Sequence, residues 1–282
     1  MFKRKFLLHT ILILTAIGML LPFFVMFLVS FSKDNSLSFS NFTITTANYF
    51  HVFHAIPITR YFLNSLIVSV FTTIGQVLFS TLAGYAFARM NFKGRNLIFF
   101  IFLITMFIPP QVNIIPLFFL MRELHLVDTY QALILPGIFG GFGVFMMRQY
   151  FLGFSKDLEE ASIIDGCNKF QMFFKIAMPL AAPAIATLAI FTFITSWNSF
   201  IWPLIITNSE SMRTLPLGLA IFKGSYREIT MWGDLFACSV VCALPTILIF
   251  LFDFGPLIKY LYKSLLLTSN TFQQTMLLID FH

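Results

Sequence analysis

Long apolar runs separated by shorter polar stretches set the pattern of this chain. Six of them stand out: Phe6–Phe31, Tyr61–Ala88, Leu97–Met121, Gln131–Met147, Ala184–Thr207 and Leu235–Phe252. A helix needs about 20 residues to cross about 30 Å of hydrocarbon, so each run is long enough to span a bilayer. A membrane β-barrel would instead show short segments of alternating polarity, and the sequence has none. The pattern predicts an all-α membrane protein of six transmembrane helices. The Pro109-Pro110 pair removes two backbone donors and is expected to kink or break the third helix. Gly137, Gly140, Gly141 and Gly143 are expected to let the fourth pack closely against a neighbour.

Composition agrees. Hydrophobic residues make up 58% of the chain and charged residues 11%, against roughly 25% charged in a soluble domain. The first run follows Lys3, Arg4 and Lys5 as a secretory signal would, but it is too long for one and no small-x-small cleavage site follows. It is kept as a span. An even number of spans puts both termini on one side. With the amino terminus inside, the inner segments hold Lys3, Arg4, Lys5, Arg89, Lys93, Arg95, Arg148, Lys156, Lys169, Lys175, Lys259 and Lys263. The outer segments hold only Lys33, Arg60, Arg122, Arg213, Lys223 and Arg227. Twelve basic residues against six fit a cytoplasmic placement of both termini. The net charge of +6 therefore reads as topology and not as nucleic-acid binding. Cys238 and Cys242 read as small packing residues, and Cys167 as a reduced cytoplasmic thiol.

One polar insertion interrupts the pattern. With this topology residues 148–183 are cytoplasmic, and they read as two short helices around a glycine turn. Ser155 can cap the first, Asp157 and Glu159 suit its positive end, and Gly166 can take a left-handed conformation after its last turn. In the second, Phe170, Phe173, Phe174 and Ala177 recur at helical spacing, opposite Lys169 and Lys175. Pro179 should stop that helix or start the next. On periodicity alone, an interfacial helix that merely caps the bundle explains this equally well.

The residues are more specific. Glu160-Ala161-Ser162, three residues, Gly166, nine residues, then Ile176-Ala177-Met178-Pro179 resembles the EAA loop of ABC importer permeases. That family's pattern is Glu-Ala-Ala, three residues, Gly, nine residues, Ile-x-Leu-Pro. Both spacings match, and Ser162 and Met178 are conservative departures. "YFLNSLIVS", "AGYAFARMNFKGR", "FIPPQVNIIPLFFLMRELHLVDTYQALILP", "FGVFMMRQYF", "SWNSFIWPLI", "TLPLGLA" and "WGDLFACSVVCALPTILIFLF" are similar to the carbohydrate importers, the MalG-like branch. Residues 61–252 thus form the resembling core, after a first helix and external loop over 1–60. The tail, 253–282, does not look like the family's.

The resemblance implies an ABC transporter type-1 permease fold, with the EAA loop as coupling helices seated in a groove of a cytoplasmic ABC ATPase dimer. It implies Glu160, Ala161, Asp165, Gly166, Phe170, Phe173, Phe174, Ile176 and Pro179 as the coupling residues. It also implies a second homologous permease subunit, an extracytoplasmic solute-binding protein docking on the loops 32–60 and 208–234, and a bacterial inner-membrane location. No cofactor is expected on this chain; ATP and Mg would sit on the partner. In keeping with that, no Gly-Lys pair occurs, so no P-loop is present, and no His-Glu-x-x-His metal motif occurs. The six runs contain no Asp or Glu, which speaks against an ion-driven carrier, with Asp234 and Asp253 just outside the sixth. His51 and His54 read as external surface residues. Polar groups inside the runs are candidates for the solute pathway: Asn64, Gln76, Gln111 and Asn113, with Trp197 and Asn198 offering an aromatic face and hydrogen bonds to a sugar. A permease for another solute, or a membrane scaffold that binds an ATPase, are the alternatives.

Overall fold

The computed structural model describes residues 2–33, 43–155, 160, 162–164, 166–225 and 231–249. Within them the chain is helical, apart from connecting turns and one isolated bridge between Ser32 and Ile44. The helices are α1 (Phe2–Ser30), α2 (Ala47–Ala55), α3 (Ile58–Arg89), α4 (Arg95–Phe107), α5 (Pro110–Glu123), α6 (Tyr130–Ile138) and α7 (Gly141–Leu152). They continue as α8 (Lys169–Leu180), α9 (Ala182–Trp197), α10 (Ile201–Ile206), α11 (Leu215–Ser225) and α12 (Trp232–Ile249). Among the described residues, four stretches are long and apolar enough to cross a membrane: Lys5–Ser30, Ile58–Arg89, Tyr130–Leu152 and Trp232–Ile249. The number rises to six if each of two bent pairs, α4 with α5 and α8 with α9, forms one span.

The bends have causes in the sequence. Between α4 and α5 the chain turns by 105° at Ile108 and Pro109, both in extended backbone. Pro110 then opens α5, where its missing donor costs nothing. α8 and α9 meet at 73° around Ala181, with Pro179 just before the corner and Pro183 just after it. The expectation for Pro179 holds to within one residue, since α8 ends at Leu180.

The chain divides into two compact units. One comprises residues 1–66 and 207–245. Here the Asn48 amide donates to the carbonyls of Ser30 and Ser32 at 2.9 and 2.8 Å, tying α2 to the end of α1. His51 Nδ1 lies 2.5 Å from Asp234 Oδ2, so His51 is no isolated surface group. Asp234 itself falls in the first turn of α12, inside the helix and not beyond its end, and it is buried. A carboxylate there meets the positive end of the helix dipole. Along α1, by contrast, apolar side chains from Phe6 to Phe27 are exposed on all sides.

The other unit comprises residues 67–206 and 246–282. Its core lies where α3 crosses α6 and α7, and small residues set the separation. A methyl group on Gly84 would sit 2.6 Å from Met147 Cβ and 2.8 Å from the Arg148 nitrogen. One on Gly137 would meet Thr72, one on Gly143 would meet Ser80, and one on Gly141 would lie 2.7 Å from the Phe102 carbonyl of α4. The glycines of the fourth span are contact points, as their spacing suggests. Trp202 Nε1 donates to the Ala132 carbonyl at 2.9 Å and joins α10 to α6.

Candidate coupling site

The polar insertion is built as an elbow. Glu160 and residues 162–164 are helical, and Gly166 follows with φ +76°. The Gly166 N–H donates to the Ile163 carbonyl and the Cys167 N–H to the Ser162 carbonyl, each at 3.0 Å. This double closure ends a helix on a left-handed residue, which glycine adopts without steric cost. The next helix begins two residues later. Asn168 Oδ1 accepts from the Gln171 N–H at 2.8 Å, and Gln171 Oε1 accepts from the Asn168 N–H at 2.9 Å. The reciprocal pair satisfies two donors that α8 would otherwise leave open.

α8 is not uniform. From Phe173 to Ala177 its turns are widened, and the Met178 N–H reaches back five residues to the Phe173 carbonyl. A wide turn brings residues at a spacing of four onto one line. Phe173, Ala177 and Ala181 accordingly all point inward, with Met172 beside them, into a core with Tyr85, Met147, Phe151, Ala184 and Leu188. The same widening displaces the carbonyl turn against which the Pro179 ring would press.

The sequence treats Phe170, Phe173, Phe174 and Ala177 as one apolar stripe, and the structure splits it. Phe173 is 4% exposed and serves the chain's own core, while Phe170 is 75% and Phe174 50% exposed. Ile176 is half-buried and Pro179 exposed. Glu160 is exposed, and a methyl group on Gly166 would meet nothing within 4 Å. Ala161 and Asp165 lie outside the described residues. Two residues that sequence reasoning passed over belong to the exposed face: Ile163 and Ile164, the latter 85% exposed. Two adjacent apolar residues just before a glycine, inside a polar insertion, were the available signal. Ser162, in contrast, is buried, which explains why a small residue follows Glu160-Ala161. The Asn168…Gln171 spacing could also have been read as a capping pair.

The pathway candidates separate as well. Asn64 is fully buried, and its amide donates to the carbonyls of Ser211 and Arg213 at 2.8 Å each, so packing accounts for it. Trp197 is 1% exposed, its ring stacked on Phe193 at 5.7 Å, and offers no free face to a sugar in this conformation. Asn113 is exposed on α5. Asn198 is exposed at the end of α9, its amide donating to the Ile194 carbonyl. No group of three or more His, Cys, Asp or Glu side chains suited to a metal occurs among the described residues.

Residues 76–255 match the family model described as "Binding-protein-dependent transport system inner membrane component". The arabinooligosaccharides transport system permease protein AraQ of Halalkalibacterium halodurans is 41% identical over 77% of this chain and 77% of its own length. The trehalose/maltose transport system permease protein MalG of Thermococcus litoralis is 36% identical over 84% of this chain and 87% of its own. Among solved structures, a chain of a bacterial ABC transporter that imports the acidic polysaccharide alginate superposes with a TM-score of 0.77 at 26% identity. That match covers 91% of this chain and 95% of the other. The helical spans and these likenesses agree, and the chain belongs to the family of binding-protein-dependent transport system inner membrane components, as a multi-pass permease subunit of an ABC importer.

Proposed function

We propose that this permease forms one half of a pathway for sugars or oligosaccharides and is driven by a separate cytoplasmic ATPase that grips the elbow over residues 160–180. The observation that carries this is the two-sided elbow. Phe173 and Ala177 anchor it inward, while Ile163, Ile164, Phe170 and Phe174 present apolar area outward around a left-handed glycine. Apolar side chains set on short capped helices, with Lys169 and Lys175 beside them, suit a protein groove better than water. Glu160 adds a carboxylate for charge-assisted hydrogen bonds.

The remaining parts of the machine follow from the family. A second related permease would complete the pathway, and a solute-binding protein would deliver the substrate from the side opposite the elbow. ATP and Mg would be held by the ATPase, with this chain binding neither. The excess of basic residues on one side supports a cytoplasmic location for the elbow and both termini. Asn113 and Asn198 remain the candidates for solute contact. A saccharide is favoured because AraQ and MalG are named for saccharides. A phosphorylated polyol is the second reading, since the sn-glycerol-3-phosphate permease UgpE of Yersinia pestis is 29% identical over 86% of the chain.

The test is uptake of labelled arabino-oligosaccharides, maltose, trehalose and sn-glycerol-3-phosphate by cells with and without the gene. Loss of saccharide uptake alone supports the reading. Loss of glycerol phosphate uptake alone transfers it to the second, and no loss of any kind contradicts both.

A further inference from the structure

Behind the exposed face of the elbow lies a joint that links it to two other helices. The Phe174 ring contacts Phe173 edge-on at 4.9 Å, and Phe173 meets the Tyr85 ring at 5.0 Å. Tyr85, near the end of α3, also meets Phe151 of α7 edge-on at 5.3 Å. Its hydroxyl donates to Met172 Sδ of α8 at 3.2 Å. One side chain therefore touches the last turns of α7 and the first turn of α8 at once. The exposed ring is in direct contact with the ring that faces the core.

Two arginines close the same joint from the other side. Arg89, the last residue of α3, donates from Nε to the Phe151 carbonyl at 2.9 Å and from Nη2 to the Phe154 carbonyl. The Phe151 carbonyl lies in the last turn of α7 and the Phe154 carbonyl two residues past its end, where the helix dipole is negative. Arg148 of α7 donates back to the Phe87 carbonyl of α3 at 3.4 Å, with its guanidinium 4.1 Å above the Phe99 ring of α4. Gly84 meanwhile brings the α3 backbone against Met147 and Arg148. The space between is filled, since Met147, Phe151, Ala181 and Leu188 are fully buried. A packed interior transmits displacement with little compression.

We propose that Tyr85, Arg89 and Arg148 are positioning residues that make the elbow and the inner ends of α3 and α7 move as one rigid body. Displacement of the elbow then becomes displacement of two spans, and not the swing of a loop alone. The inference rests on the reading of the elbow as the ATPase contact.

The test uses the complete importer in proteoliposomes, with its ATPase, partner permease and binding protein, and records solute transport and ATP hydrolysis together. Tyr85→Ala and Arg89→Gln are expected to keep the ATPase bound and hydrolysing within about twofold of wild type. Solute moved per ATP should fall by about tenfold, within the usual range of coupling between sites. Tyr85→Phe, which keeps the rings packed, should restore the ratio to within about twofold of wild type. Transport and hydrolysis falling by the same factor, in step with the complex recovered, would overturn the inference and leave these residues a structural role only. An unchanged ratio would overturn it too. If the wild-type complex retains no ATPase on the elbow, the underlying reading fails along with the joint. If it retains the ATPase and the ratio does not move, only the joint fails.

Discussion

Phe170 and Phe173 are three residues apart on one short helix, yet the structure gives them opposite tasks, and truncating each in turn separates the tasks. Phe170 is 75% exposed, so Phe170→Ala removes little from the chain's own fold. Fully burying such a side chain is worth about 1.5–3 kcal/mol, and three-quarters of that is about 1–2 kcal/mol if an ATPase groove covers the ring. At about 1.4 kcal/mol per factor of ten, the affinity of the permease for its ATPase should drop about 5- to 30-fold. The melting temperature of the detergent-solubilised permease should stay unchanged. Phe173→Ala should do the reverse. At 4% exposure among Tyr85, Phe151 and Ala177, its loss opens a cavity, and such truncations cost about 3–5 kcal/mol of stability. ATPase binding by surface-immobilised permease and thermal unfolding, both measured on each variant, give four values. A Phe170→Ala variant that unfolds early while binding normally would refute the assignment of the two faces.

Three further outcomes are expected. Gly166→Arg places a side chain at φ +76°, at a cost of about 1–2 kcal/mol, but meets no heavy atom within 4 Å. The protein should insert normally and lose uptake, and normal uptake would count against the groove. Gly84→Val drives a methyl group to 2.6 Å from Met147 Cβ at a backbone contact that cannot yield, and should destabilise the bundle by about 3 kcal/mol, read as loss of monodisperse protein in detergent. His51→Ala takes the partner from buried Asp234 and should lower stability by about 1–3 kcal/mol, measured as a drop in melting temperature.

Much of this architecture is legible in the sequence because bilayers and backbones impose strict rules. The apolar runs had to be helices. Pro109 and Pro110 had to break one of them, and Gly166 announced a left-handed turn. The glycines at 137, 140, 141 and 143 announced close contact. What the sequence conceals depends on tertiary packing. Phe173 packs among Tyr85, Phe151 and Ala177 while Phe170 and Phe174 stay exposed, and a stripe drawn from spacing alone cannot tell which of its members the chain's own core takes. Asn64 and Trp197 are polar or amphipathic groups in apolar runs, which fits a solute pathway or an internal hydrogen bond equally well. Only the positions of the Ser211 and Arg213 carbonyls and of Phe193 decide between the two. His51 and Asp234 are separated by most of the chain, so their pairing has no local signal.

The central claim is that the exposed apolar face of the elbow seats in a cytoplasmic ATPase. Ile164, 85% exposed, sits on that face, and Ile164→Cys in a background lacking the native cysteines places one thiol there. Cross-linking it to single cysteines introduced along the ATPase groove, in intact membranes, measures the contact directly. The account predicts a cross-link that changes when ATP is added, together with labelling by impermeant thiol reagents only from the cytoplasmic side. Labelling from the opposite side, or no cross-link at any groove position in a transport-competent complex, would contradict it.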